Sequence, residues 1–232
     1  MIQKRSSRER GYANHEWLET YHSFSFARYY DSKHMNFRYL RVINEDRVQP
    51  GTGFGMHSHH DMEIITYILD GSLKHQDSMG NQSIIYTGEV QHISAGTGIM
   101  HSELNPSESD PVHFLQIWIT PDRMGIEPRY AQRKLRDNIS DNQLCLIASK
   151  NGENGSITLN QDVNLYVLSL DSGGQVDYEL QPDRYAWIQV TKGTIKLKDI
   201  TMEAGDGAAI SEEKKLEINA NNAAEMLLFD LS

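Results

Sequence analysis

The sequence predicts an all-β protein of the sandwich or barrel type, and three observations lead to this fold class. Short runs in which apolar and polar residues alternate dominate from about residue 37 to residue 119, and such alternation is typical of half-buried strands. Glycine, asparagine and aspartate residues separate these runs. The same pattern resumes near Gln143, and 232 residues are enough for two domains of ordinary size.

The individual elements follow in chain order. Strands are predicted for three runs of this kind, residues 63–69, 83–86 and 114–119. Gly80 and Asn81 predict a hairpin turn before the second of these strands, because both residue types tolerate a positive φ. Residues 121–140 lack the alternation and predict a short connector with at most one short helix. We therefore predict two domains, residues 1–135 and residues 136–232.

Glycines in the second half of the chain repeat a pattern of the first half. Gly193 matches Gly71 and Gly205 matches Gly88, because similar apolar and polar residues surround each pair. The interval between the two glycines is shorter in the second copy. The sequence therefore predicts an internal repeat, with two halves that have diverged from a common pattern.

Charge and cysteine content exclude several classes of protein. The net charge of −10 argues against a nucleic-acid partner, because phosphate backbones are bound by clustered lysine and arginine. The basic residues at positions 4–10 predict a solvated arm.

No stretch reaches the about 18 consecutive apolar residues of a spanning helix, so we expect a cytoplasmic protein without a membrane partner. The single cysteine, Cys145, allows no internal disulfide and is expected to be a buried apolar residue.

Two pairs of side chains have the spacing of metal ligands on strands. Residues i and i+2 of a strand point to the same face, so His57 and His59 are expected side by side while His60 points away. His101 and Glu103 repeat this spacing after a glycine-rich turn. Together they predict a site for one divalent transition metal, and the ligand types fit Fe(II), Mn, Ni, Cu or Zn.

Other titratable residues of the first half have simpler interpretations. Glu63 either orients a ligand imidazole through a hydrogen bond or is an ordinary strand carboxylate, and the first role is preferred. All ten histidines lie between His15 and His113. Those outside the two pairs and His60 are expected at the surface or hydrogen-bonded in the core; they are His15, His22, His34, His75, His92 and His113.

Longer motifs around these residues carry a family resemblance. Residues 51–71 and 88–105 resemble the two sequence motifs of the cupin superfamily. Three segments that begin at His22, His75 and Ser94 are more narrowly similar to the pirin family, including its bacterial quercetinase-like members. The resemblance spans essentially the whole chain.

This resemblance implies a bicupin fold of two stacked antiparallel β-barrels of the jelly-roll type. It also implies that the first barrel holds one metal, with Fe(II) favoured, through His57, His59, His101 and Glu103. The general cupin pattern would place the glutamate ligand at Glu63, whereas the Ser-Glu sequence typical of pirins places it at Glu103. Opposite these four ligands the repeat puts Glu179, Gln181, Ile218 and Ala220, so the second barrel is expected to lack a metal site and to have a structural or docking role.

The resemblance further implies an activity, that of a quercetin 2,3-dioxygenase. A flavonol and dioxygen would be the substrates, Glu103 would take the proton of the flavonol 3-hydroxyl, and the central ring would open with release of carbon monoxide. No residue is assigned to substrate binding. Five apolar residues fit either a pocket lining or the core, with the core preferred; they are Phe54, Met56, Ile64, Tyr67 and Phe114.

Two other functional classes remain open from the sequence. Pirins also include metal- or redox-responsive proteins that modulate a protein partner, and in such a protein flavonol turnover would be incidental. A hydrolase or isomerase that uses Zn or Mn is the third class, since cupin folds host many chemistries.

Overall fold

The computed structural model describes residues 1–135 and 141–232, and strands dominate it as predicted. The predicted strands at residues 63–69, 83–86 and 114–119 and the hairpin at Gly80 are all present. Two short 3-10 turns span Ser7–Glu9 and Glu153–Gly155. The strands of the described residues are β1 (Ile2–Arg5), β2 (Gly11–Asn14), β3 (Leu18–His22), β4 (Leu40–Val48), β5 (Gly53–His59), β6 (Glu63–Asp70), β7 (Ser72–Asp77), β8 (Gln82–Tyr86), β9 (Glu89–Ser94), β10 (Ile99–Leu104), β11 (Val112–Ile119), β12 (Arg129–Lys134), β13 (Gln143–Ser149), β14 (Ile157–Thr158), β15 (Val163–Leu170), β16 (Gln175–Glu179), β17 (Tyr185–Lys192), β18 (Thr194–Leu197), β19 (Ile200–Glu203), β20 (Gly207–Ile210), β21 (Lys215–Ala220) and β22 (Ala224–Leu231).

The first compact unit comprises residues 11–135 and contains two antiparallel sheets. One sheet has seven strands in the order β12-β9-β6-β11-β4-β3-β2, and the other has four in the order β5-β10-β7-β8. Buried side chains of both sheets fill the space between them, for example Ile68 of β6 and Leu73 of β7. Hydrogen bonding between the described strands does not close either sheet on itself, so the unit is an open β-sandwich and not a closed barrel.

The second compact unit has the same plan. Its sheets follow the orders β1-β20-β17-β22-β15-β13-β14 and β16-β21-β18-β19. The interior is apolar, with a large cluster of buried leucine, isoleucine, valine, methionine and alanine side chains contributed by both sheets. Cys145 of β13 is buried, as expected. No described helix is long and apolar enough to cross a membrane.

The glycine repeat is confirmed. Gly71 joins β6 to β7 with φ of 79°, and Gly193 joins β17 to β18 with φ of 74°. Gly88 and Gly205 precede β9 and β20 with φ of 80° and 86°. A side chain is strained in this left-handed region, which explains why the same residue type recurs at both joints.

The repeat alignment drawn from those glycines was wrong on the ligand strands. β7 and β10 place His75 opposite Glu103, and the equivalent strands place Leu197 opposite Ile218. Ile218 therefore corresponds to Glu103, two residues from the predicted position. By the same register, the positions equivalent to the four predicted ligands hold Tyr178, Leu180, Leu216 and Ile218.

The basic N-terminal segment is not the predicted solvated arm. Residues 2–5 form β1, which pairs with β20 from Ile2 opposite Ile210 onward. Lys4 makes a 2.7 Å ion pair with Asp206, and Arg5 is buried. The compact units therefore place residues 1–10 with the second half of the chain, whereas the predicted division placed them with the first.

The predicted connector is also partly a strand. Residues 129–134 form β12, which pairs with β9 at the edge of the seven-stranded sheet. The strand escaped the sequence pattern because its side chains are mostly half-buried and therefore show no clear alternation. Residues 136–140 of the predicted connector lie outside the described residues.

Substitution of Gly193 by alanine should lower stability more than the same change at Gly173. Both glycines have positive φ, but a Cβ at Gly193 would lie 2.3 Å from the carbonyl oxygen of Ala223, whereas a Cβ at Gly173 has no atom within 4 Å. We expect about 1–2 kcal/mol of backbone strain at both sites and a further about 1–3 kcal/mol of overpacking at Gly193. Urea unfolding of both variants measures the difference, and equal losses would contradict the close approach.

Candidate metal centre

Two neighbouring strands of the four-stranded sheet bring the predicted ligands together. β10 runs antiparallel to β5 with His101 directly opposite His57, and His59 lies two residues further on the same face. A register shift follows between His101 and Glu103, where β5 has an extra residue. This bulge brings Phe54 opposite Glu103 although Phe54 and His57 are three residues apart.

The three imidazoles converge on one point. Their ring centroids are 4.4 Å apart for His57 and His101, 4.8 Å for His57 and His59, and 4.9 Å for His59 and His101. One ligand nitrogen of each lies within 4.8 Å of the others, a spacing that admits one ion among the three. His57 Nδ1 lies 2.8 Å from the carbonyl oxygen of Gly55, so it donates there and leaves Nε2 for a metal.

His101 and His59 are set up to bind as neutral imidazoles. Burial, together with the neighbouring His57 and His75, lowers the pKa of His101 to about 3. Burial and the neighbouring His101 and His57 lower the pKa of His59 to about 4. Both ring nitrogens of His101 are buried without a hydrogen-bond partner. Because a buried unpaired nitrogen is costly, a coordinated metal fits this position.

Glu103 lies beside the histidine triad and is held by other residues. The Gln116 side-chain amide donates to both carboxylate oxygens at 3.0 Å, and the Thr66 hydroxyl lies 3.4 Å from Oε1. Burial raises the pKa of Glu103, and the bond from Gln116 opposes the rise. Among the described residues, the group of mutually close ligand atoms contains the three histidines without Glu103. Its role as a fourth ligand therefore stays a prediction.

Glu63 occupies a different part of the same unit. This fully buried carboxylate accepts from Ser94 at 2.6 Å and lies 2.8 Å from His92 Nε2. These contacts tie β6 to β9. The predicted role of Glu63 in orienting a ligand imidazole stays a prediction.

The other histidines lie where the sequence suggested. His60 is exposed, and its side chain is 82% accessible. Hydrogen bonds hold five of the remaining histidines, and their partners are Asn44 for His22, Asp31 for His34, Asp77 for His75, Glu63 for His92 and Glu45 for His113.

A cavity of about 490 Å³ opens beside the triad. Its volume suits a small aromatic molecule. His57, His59 and Glu103 lie on one side of it. Aromatic side chains form much of the remaining wall, and polar residues of β3 and β4 complete it. The aromatic lining residues are Trp17, Phe26, Phe54 and Trp118, and the polar ones of these strands are Thr20, His22, Asn44 and Asp46.

Most of the residues that line this cavity were not predicted from the sequence. Of the five apolar candidates, Phe54 lines the cavity, whereas Ile64, Tyr67 and Phe114 are buried in the unit and Met56 is exposed. Alternation along residues 40–48 marks which side chains of β4 face inward. That signal identifies Asn44 and Asp46 as interior polar residues, but it does not indicate what they face.

Comparison with known proteins agrees with this geometry. The Pirin family profile matches residues 3–119, and a profile described as the quercetinase C-terminal cupin domain matches residues 146–231. A protein of Escherichia coli strain K12 named quercetin 2,3-dioxygenase is 47% identical over 231 residues, which cover 100% of this chain and 99% of the relative.

Solved structures show the same similarity. The crystal structure of YhhW from Escherichia coli has a TM-score of 0.96 and 46% identity, covering 100% of this chain and 98% of that one. The structure of bacterial pirin YhhW from Escherichia coli in complex with nickel(II) has a TM-score of 0.95 and 45% identity, covering 100% and 99%. Two cupin units, with a histidine triad in the first, define a metal-binding bicupin. Within that class, the chain belongs to the pirin family.

Replacing one histidine of the triad should remove the metal. We expect His101→Ala to lose stoichiometric metal, because it removes one of three converging nitrogens, and His60→Ala to keep it. Elemental analysis of the purified variants is the measurement. Metal retained by His101→Ala, or lost from His60→Ala, would show that the site lies elsewhere.

The titration of His59 and His101 should contribute a loss of stability in the metal-free protein as the pH falls from about 6.5 towards about 4. The folded-state pKa values of His59 and His101 lie below 6.5, so the unfolded chain binds protons first in this range. His101→Gln should lose less over the same range. Thermal unfolding after chelation, measured against pH, tests this, and identical profiles for the two proteins would contradict it.

Proposed function

We propose that this protein is a metal-dependent dioxygenase that opens the central ring of a flavonol such as quercetin and releases carbon monoxide. The observation that carries the proposal is the cavity of about 490 Å³ with aromatic walls that borders the histidine triad and Glu103. The name of the 47% identical relative supports the same activity.

The site residues fit a bound divalent transition metal, and Fe(II) is the metal we propose. His57, His59 and His101 would hold it, and Glu103, which lines the same cavity as His57 and His59, is proposed as a further ligand. A metal at this position would bind the deprotonated 3-hydroxyl of the flavonol and make dioxygen chemistry accessible.

Glu103 has the properties of a base in a dry site. Burial raises the pKa of its carboxyl, which favours acceptance of a proton from the 3-hydroxyl of a bound substrate. The Gln116 amide, bonded to both oxygens, keeps the carboxylate oriented towards the cavity that both residues line. Aromatic side chains around the cavity would pack against the flat rings and exclude water.

The first test is turnover of quercetin by the metal-loaded protein. Loss of the flavonol absorbance with release of carbon monoxide is expected on admission of oxygen to an anaerobic mixture. Glu103→Gln should lower the rate by about 100-fold to 10,000-fold, the range for loss of a general base. Glu45→Gln, on the outer face of β4, is the matched control and should leave the rate unchanged.

A metal-loaded wild-type protein that does not consume quercetin would contradict the proposal. That outcome would favour the alternative of a metal- or redox-responsive protein that acts on a protein partner. Cytoplasmic localisation stays a prediction.

A further inference from the structure

One cross-strand row on the inner face of the seven-stranded sheet of the first unit is polar across six strands. The pairing register aligns Gln132, Gln91, Thr66, Gln116, Asn44 and His22 on β12, β9, β6, β11, β4 and β3. Glu103 is bonded to the middle of this polar row through Gln116 and Thr66. Such a row is unusual in a core, because each buried polar group needs a partner.

Members of the polar row largely satisfy one another. The Thr66 hydroxyl lies 3.1 Å from Gln116 Oε1 and 3.3 Å from Gln91 Oε1. His22 Nδ1 and Asn44 Oδ1 are 2.8 Å apart. These contacts explain how the row tolerates burial.

Asp46 lies two residues along β4 from the polar row, and one of its carboxyl oxygens has no partner. Its side chain is 3% exposed and lines the cavity. Thr20, directly opposite on β3, donates a hydrogen bond to the carboxyl, yet Oδ1 has no partner. Burial, together with the carboxylates of Glu103 and Glu45, raises the pKa of Asp46 to about 7.

Thr20 bonds to the Asp46 carboxyl, but the neighbour on the other side of β4 does not pair with Oδ1. This neighbour, on β11, is Phe114, which belongs to the apolar core. A buried carboxyl beside such a core is costly unless something bonds to it. A second buried atom of the cavity lining is also unpaired, the indole nitrogen of Trp118. The cavity wall therefore carries an acceptor and a donor that the chain itself does not satisfy.

The position of Asp46 relative to Glu103 matches the size of an aromatic ligand. Glu103 is bonded to Gln116, whose neighbour on β4 is Asn44. Asp46 is one strand away from Gln116 and two residues further along, which amounts to roughly 8 Å between backbone positions. A substrate whose reactive hydroxyl lies at Glu103 can therefore present a second ring to Asp46.

We propose that Asp46, supported by Thr20, recognises a hydroxyl group on the part of an aromatic substrate that lies away from the metal. The hydroxyl donates to Oδ1 of Asp46. Asp46 is then a specificity-determining residue, and the substrate class is a polyhydroxylated aromatic compound. This inference rests on the proposed function for the placement of the reactive hydroxyl at Glu103.

Recognition of this kind discriminates strongly between related ligands. An analogue that lacks the hydroxyl leaves the buried carboxyl unpaired, and such a loss weakens binding by about 10-fold to 100-fold. An aromatic wall alone cannot provide this discrimination, because it accepts both ligands.

The test is anaerobic calorimetric binding of two flavonols to the metal-loaded protein. Quercetin and 3-hydroxyflavone share the 3-hydroxyl, and only quercetin carries hydroxyls on its other rings. Wild-type protein should bind quercetin at least about 10-fold more tightly. Asp46→Leu should remove that preference by weakening quercetin about 10-fold to 100-fold and 3-hydroxyflavone less than about 2-fold.

Two further variants keep the result interpretable. Asp46→Asn preserves size and an acceptor oxygen, so an intermediate preference is expected. Glu19→Gln removes a carboxylate from the outward face of the neighbouring strand β3 and should keep the full preference. Metal content and thermal unfolding of each variant identify a folding defect.

Three outcomes would overturn the proposal. They are equal affinity of wild-type protein for the two flavonols, equal weakening of both by Asp46→Leu, and binding of neither. Because oxygen is absent, the result does not depend on turnover. A preference that depends on Asp46 in a protein without dioxygenase activity would refute the proposed function and leave this inference standing.

Discussion

The pairing of His57 opposite His101 is the constraint on which the metal centre depends. Antiparallel register places these two side chains opposite each other, and the two-residue period of a strand places His59 on the same side. The bulge beyond this pair then turns Phe54 inward, towards the cavity. One register therefore sets the positions of the three histidines and places Phe54 in the cavity wall. A slip of one residue would turn these rings to the outer face.

The two units share one arrangement of strands, but their interiors differ. In the second unit, Leu180, Leu216 and Ile218 replace three of the predicted ligands, and the interior packs as an apolar core. The first unit instead contains the polar row and a cavity. Its interior therefore buries polar side chains at positions where an ordinary core would bury apolar ones. Functional sites commonly carry such a cost, which the surrounding sheet must offset.

Sequence patterns correctly predicted the features that depend only on residues close together in the chain. The ligand strands, the hairpin at Gly80 and the glycine joints follow from periods and turn chemistry within a few residues. The cavity wall depends on the pairing of β3, β4 and β11, which are not consecutive in the chain, so the alternation along β4 marks Asp46 as an interior residue without indicating what it faces. The repeat alignment failed on β21 because the interval between glycines is shorter in the second copy and the register is set by pairing with β18.

Strand β1 ties the beginning of the chain to a sheet formed near its end. Ile2 pairs with Ile210, so during synthesis the first strand is made long before its partner. At about 5–20 residues per second, roughly 10–40 s separate the two. Over that interval the β1 residues have no strand to pair with, although the strands of the first unit can already assemble. The second sheet can form its β1–β20 pair only late, and until then the β1 strand is open to pairing with other chains.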